Sequence, residues 1–429
     1  MPPQIVSVDS LRAGVFIQLM KVNWLAHPFL FNSFKIKGPD QIQVLRNLGI
    51  REVIYIPEKS DCTPAFSQSP QRPDQAGSES HAEPPLDAMW ESKKKQTERM
   101  QKRRQQLHRC EKDYNRTIAK VSTVMQKLIT GSEEAAAEAD QLIEGIVDSL
   151  LMDPEAAVHL VNVKSQDETL FYHTLNVAIL ALVLGKEHGL NAQQAKVLGL
   201  GALFHDIGKQ KIAKNLLYKR GQLNPPEIKI LQMHPQYGFD IMSRIGSFPP
   251  DALSIIVQHH ETNDGTGYPR GLHGDDISLL SKITAIANNY DGLCNRLDPS
   301  ESMTPYESLC HLFCRQKQQL DGQLLSLFIS CLGVYPPGTI VKLNNDSIGM
   351  VVSINPKKPL RPGVMLYDPN VIKSEALIYD LEEFKELEIE RSIRPSQLPA
   401  EIFAYLDPRT RINYFFDTTP KTSSSRPRP

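Results

Sequence analysis

Two stretches, "LFYHTLNVAILALVLGKEHGL" (residues 170–190) and "AKVLGLGALFHDIGK" (195–209), are apolar on most of their helical faces. A helix without a polar face has to be buried among other helices. Residues 151–333 therefore read as an all-α domain. The same stretches carry His173, His205 and Asp206 into that interior. A buried, unpaired carboxylate costs several kcal/mol, so Asp206 needs a cation or donors around it.

The histidines repeat the theme. Of 12 in the chain, seven (His173, His188, His205, His234, His259, His260 and His273) fall between residues 173 and 273. His188 precedes Gly189 at a helix end, where it complements the helix dipole, and His273 in "GLHGDD" reads as a turn residue. His205-Asp206 and the "HHE" at 259–261 are harder to explain as structure alone. Two divalent metals about 3.5–4 Å apart need a bridging carboxylate and outer ligands on both sides. Asp206 can bridge, and His173, His205, His234, His259 and His260 can supply imidazoles. Such a pair of metals can clamp a phosphodiester for in-line attack by water, with Lys209 one turn beyond His205 within reach of the phosphate. A set rich in imidazole and poor in carboxylate favours Fe or Mn over Mg.

"HDIGK" (205–209), "MHPQYG" (233–238) and "HHETNDGTGYP" (259–269) together resemble the HD-GYP branch of the HD phosphohydrolases. "VNWLAHPFLFNSFKI" and "LRNLGIREVIYI" are similar to the small N-terminal domain often found ahead of HD-GYP. The resemblance implies a phosphodiesterase that hydrolyses cyclic di-GMP to the linear dinucleotide pGpG or on to GMP in bacterial signalling. By motif it assigns His173, His205, Asp206, His234, His259 and His260 as metal ligands, with Lys209 on the scissile phosphate. Gly267, Tyr268 and Pro269 become the loop that shapes substrate entry and offers a docking point to diguanylate cyclases. Two positions depart from the family. "IANNYDGLCN" places Asn288 where an aspartate ligand is usual and keeps Asp291. Thr169 stands where members with three metals carry a glutamate, so two metals are expected. The usual arginine-bearing run is missing, and Arg296 is the candidate substitute for phosphate binding. A second reading keeps the fold without the catalysis: a degenerate domain that senses the dinucleotide or docks on proteins, with Asn288 as the lesion.

The remaining chain frames this domain. Residues 1–58 read as a small α+β domain, with a helix over "PDQIQVLRNLGI" ended by Gly49 and a closing strand at "REVIYIP". Residues 59–88, rich in Ser, Pro and Gln, read as a disordered linker. Residues 89–150 read as a helical connector, with Lys93–Lys95 and Lys102–Arg104 on a solvated face. Residues 334–416 alternate apolar and polar residues as a small β-rich appendage, and 417–429 read as a disordered tail. His27, alone before a proline, is expected to be structural. A net charge of −1 gives no pull toward a nucleic-acid polymer or an anionic membrane. No run of about 18 apolar residues is present to span a bilayer. A cytoplasmic protein with reduced thiols is expected from its six scattered cysteines, with homodimerisation through the long helix a weaker expectation.

Overall fold

The computed structural model describes residues 4–20, 27–29, 32–65, 86–152, 158–161, 169–219, 221–296, 301–355, 358–369, 371, 376, 378–406 and 413–416. They cluster into two compact units: residues 1–103 with 343–347 and 366–377, and the rest.

In the first unit, β1 (Gln4–Ser7), β2 (Phe16–Leu19), β3 (Ser33–Lys35), α1 (Pro39–Asn47) and β4 (Glu52–Tyr55) form an antiparallel sheet in the order β1-β4-β2-β3. The pattern anticipates this because Val6, Ile17, Leu19, Val53 and Tyr55 all turn inward to meet Ile42 and Leu45 of α1. Gly49 follows the helix with φ of 72°. The unit runs past residue 58: Asp61 N–H donates to Gly14 O (2.8 Å) and Ala65 N–H to Ser10 O (2.8 Å). The linker expected from residue 59 thus starts no earlier than 66. Residues 66–85 and the expected tail lie outside the described residues.

The stretch expected as a connector is two helices, α2 (Leu86–Ile129) and α3 (Glu133–Met152). Both belong to the core. Tyr114, Ile118, Val121, Met125, Ala139 and Ile143 are buried in the same cluster as the helices that follow. The basic run also departs from a solvated face. Lys93 is 2% exposed, and its ammonium donates to the carbonyls of His27 and Phe29. A lysine stem is apolar enough to be buried when its head finds acceptors.

The all-α expectation for 151–333 holds apart from a strand, β5 (Val158–Val161). Then come α4 (Thr169–His188), α5 (Ala192–Phe204), α6 (Lys214–Leu217), α7 (Pro225–Leu231), α8 (His234–Met242), α9 (Pro250–Gln258), α10 (Leu279–Cys294), α11 (Pro305–Arg315) and α12 (Gly322–Leu332). Helix α5 starts on a capping box of Asn191 and Gln194, and nearly every side chain from Leu198 to Phe204 is fully buried. It packs against α3, α4 and α9, and α4 also packs against α10.

The β-rich part consists of β6 (Ile340–Leu343), β7 (Ile348–Ser353), β8 (Gly363–Leu366), β9 (Ile378–Asp380) and β10 (Ile389–Ile393), then a helix, α13 (Ala400–Leu406), and β11 (Asn413–Phe416). The sheet order is β10-β6-β7-β5-β11, with β8 pairing β7 and β9. Strand β5 is thus recruited from the helical segment. Periodicity could not reveal this, because a four-residue strand pairs only through its distant partners.

Candidate metal centre

Helix ends build the centre. His205 is the C-cap of α5, His259 the C-cap of α9, and His234 the first residue of α8, which follows α7 almost directly. The last carbonyls of a helix lack intrahelical partners. Each ring uses one: Nδ1–H of His205, His234 and His259 donates to Ala202 O (2.7 Å), Leu231 O (2.7 Å) and Ile256 O (2.8 Å). The cap fixes the tautomer and leaves each Nε2 with a bare lone pair. His173, in α4, reaches the same state by donating Nδ1–H to Asp291 Oδ2 at 2.6 Å.

These Nε2 atoms converge on Asp206. His173 and His205 Nε2 each lie 3.5 Å from Oδ2, and His234 and His259 Nε2 lie 3.2 and 3.8 Å from Oδ1. Two groups of potential ligands result: Asp206 with His173 and His205, and Asp206 with His234, His259 and His260. Asp206 is shared by both. Asn288 Oδ1 sits 3.0 Å from His173 Nε2 on the first side.

The polar atoms do not satisfy one another. His205 Nε2 and Asp206 Oδ1 are buried with no hydrogen-bond partner. His234 and His259 Nε2 face each other at 3.2 Å, lone pair to lone pair. Unsatisfied buried polar atoms each cost about 1–3 kcal/mol, so their convergence needs a reason. Divalent cations supply one, and the neutral imidazoles and single carboxylate present fit them. Burial holds His205 at a pKa of about 4. Burial and neighbouring imidazoles hold His259 and His260 well below an ordinary histidine. All three are neutral, as ligands must be. Burial raises the Asp206 pKa, but the Lys209 ammonium beside it outweighs this and keeps the carboxylate ionised.

Lys209 is brought to this centre, with Nζ 2.5 Å from Asp206 Oδ2 and a side chain 26% exposed toward solvent. Gly208 lets the "HDIGK" turn press onto α8, since a Cβ there would lie 2.0 Å from His234 O. The "GYP" loop is equally close. A Cβ on Gly267 would lie 2.5 Å from His260 O, and the Tyr268 ring stacks on His260 at 4.5 Å and 20°. Pro269 lines, with Tyr268, Met233, Ile230 and Tyr237, a shallow cavity of about 330 Å³ beside the cluster. Arg296 is not brought in: it is exposed just beyond α10, with its N–H on Ser302 Oγ.

The sequence singled out Glu261 and Asp291 without showing what either one holds. Glu261, only 3% exposed, accepts the N–H groups of Arg270 (2.7 Å) and Leu272 (2.9 Å), tying the loop to the histidine pair. Asp291 holds His173 rather than facing a metal directly. The "HHE" run itself was the available signal for Glu261: a carboxylate beside a buried histidine pair needs donors. His188 closes α4 and His273 bridges Asp264, the structural places expected of them.

Comparison with known proteins matches three successive segments of the chain. Residues 4–139 match a domain of unknown function (DUF3391), residues 151–324 an HD domain, and residues 340–401 a KOW domain associated with HD domains. The chain is 27% identical over 363 residues to the cyclic di-GMP phosphodiesterase PA4108 of Pseudomonas aeruginosa, covering 84% of each protein. It is 32% identical over 190 residues to the cyclic di-GMP phosphodiesterase PdeB of Borreliella burgdorferi, covering 44% of this chain and 50% of that one. It is 30% identical over 186 residues to the 3'3'-cGAMP-specific phosphodiesterase 2 of Vibrio cholerae, covering 43% and 36%. The chain thus carries an HD domain between a match to DUF3391 and a match to a KOW domain associated with HD domains, and the relatives it resembles are cyclic di-GMP and 3'3'-cGAMP phosphodiesterases.

Proposed function

We propose that the chain is a metal-dependent phosphodiesterase that opens a cyclic dinucleotide, cyclic di-GMP first, to pGpG or on to GMP. One observation carries it: a single buried carboxylate, Asp206, belongs to both ligand groups. His173, His205 and Asn288 would hold one cation, and His234, His259 and His260 the other. Two divalent cations held this way, Fe or Mn by the donor set, supply the Lewis acidity that phosphodiester hydrolysis needs.

The chain's own groups do the rest. Lys209, cationic and partly exposed, binds the non-bridging phosphate oxygens and delivers a proton toward the leaving oxygen. Its ion pair with Asp206 fixes where that charge sits. Tyr268 fixes His260 from one face. Glu261 holds the backbone that follows Pro269, so the loop stays at the mouth of the centre. Ile230 and Met233, exposed beside Tyr268 and Pro269, offer the surface on which a diguanylate cyclase would dock. No helix among the described residues is long and apolar enough to cross a membrane. A cytoplasmic site of action fits the nucleotide substrate.

Anaerobic purification, elemental analysis and turnover assays on the same sample test the reading. Two metals per chain are expected, with cyclic di-GMP hydrolysed faster than 3'3'-cGAMP. Chelation should abolish turnover, and Fe or Mn should restore it. Asn288 gives the degenerate alternative its one foothold, because a neutral amide replaces a charged ligand. A fully metallated chain that binds cyclic di-GMP without cleaving it would establish that alternative.

A further inference from the structure

The His173 side of the centre is held differently from the other. His205, His234 and His259 rest on backbone carbonyls three residues away in sequence. His173 rests on a side chain, Asp291, and that side chain rests on others. Asp291 Oδ1 accepts from Asn176 Nδ2 (2.8 Å) and from Asn295 Nδ2 (2.9 Å). Asn176 Oδ1 accepts the hydroxyl of Tyr114 at 3.1 Å. Tyr114, Asn176 and Asp291 are 0%, 1% and 0% exposed, so water does not compete for these bonds.

The hydroxyl has a definite task in this chain. An asparagine amide can present either end, and its hydrogen bonds decide which. With Oδ1 engaged by the Tyr114 O–H, Nδ2 must face the Asp291 carboxylate. Turned over, the amide would set its oxygen against that carboxylate and weaken the acceptor that keeps the His173 proton on Nδ1. A His173 protonated on Nε2 has no lone pair to offer a metal.

Tyr114 lies on α2, within the residues that match DUF3391, outside the HD match. We propose that Tyr114 is a positioning residue of the metal centre, supporting the His173 ligand by way of Asn176 and Asp291. The proposal rests on the metal-centre reading above.

The test uses full-length protein titrated with Co2+, followed by calorimetry and by the visible absorption of the bound ion. Tyr114→Phe removes only the hydroxyl and keeps the ring against Tyr172. It should weaken one of two cobalt ions about 10-fold or more and leave the other unchanged, the size of effect usual for a lost outer partner of a ligand. The absorption of the weakened site should shift. Asn176→Leu should reproduce this signature. Tyr114→Phe in the Asn176→Leu background should then add nothing, because one acts through the other. Wild-type affinity and spectrum in Tyr114→Phe, or fully additive losses in the double variant, would overturn the proposal while leaving the metal centre standing. A lower melting temperature without a change at either cobalt would make Tyr114 merely structural. A wild-type chain that binds no cobalt would remove both readings.

Discussion

Among the described residues, two clusters of buried polar side chains stand against each other, and only one of them has the form of a site. In the first unit, the Lys93 ammonium donates to two carbonyls, and His27 Nε2 pairs with Asn32 Oδ1 at 2.8 Å. Asn32 continues to Asp368 at 2.9 Å. His27 Nδ1 is left without a partner, but it joins no group of ligand atoms among the described residues. In the helical unit, five histidines and an aspartate spend their Nδ1–H donors or their backbone on holding position, and turn what remains toward one another. Burial marks both places equally. Convergence of unsatisfied acceptors separates them.

The sharpest way to break that contrast is Asp206→Ala. The substitution removes the shared ligand, so both metals should go, and turnover with them. The loss should exceed by a wide margin the ~10–100-fold cost of losing an outer partner. Metal-free stability should change little, since losing the ion pair with Lys209 is offset by the end of the carboxylate's desolvation cost. Elemental analysis, turnover and a melting curve on metal-free protein check this together. A metal-free variant melting far below the metal-free parent would show that the cluster is a structural network after all.

A smaller effect is expected where the loop meets the cluster. Glu261 accepts two backbone N–H groups, and glutamine offers one acceptor in its place. Glu261→Gln should cost the loop one of its two anchoring hydrogen bonds, at about 1 kcal/mol. Hydrogen exchange at Arg270 and Leu272 should quicken, and KM should rise with metal content intact. Loss of metal instead would place Glu261 in the support of His260 rather than of the loop.

The centre was legible in the sequence because its ligands sit at helix ends, where a motif of a few residues fixes a position in space. "HDIGK" and "HHE" each carry cap and ligand together. The supports were illegible for the opposite reason. Asp291, Asn176 and Tyr114 come from three helices separated by 62 and 115 residues, and no local pattern links them. Arg296, five residues beyond Asp291, is exposed just past the end of α10. The same distance effect explains the domain boundaries. The charge and glutamine content of α2 reads as solvated, yet its stripe from Tyr114 to Leu128 is core. Lys93 shows that one basic residue can leave the solvated face when two carbonyls wait for it.

Lys93 provides the last and smallest test, because its burial should be visible in stability alone. Burial lowers its pKa from the ordinary lysine value to about 7. Between pH 7 and the ordinary value near 10.4, the unfolded chain therefore binds a proton that the folded unit does not. Stability rises with pH wherever the unfolded state holds more protons, so the first unit should gain stability as pH is raised from 7 to 9. Trp90 falls within the first unit, so its fluorescence, read in a Trp24→Phe background, follows the unfolding of that unit. The melting midpoint of the parent should rise by about 4–8 °C for each kcal/mol gained. Lys93→Met should flatten that slope without altering metal content or turnover. An equal slope in the variant would mean that Lys93 stays charged on its two carbonyls throughout. Its hydrogen bonds, and not its burial, would then set its protonation, and the first unit would resemble the histidine cluster in holding a charge that its surroundings have been shaped to receive.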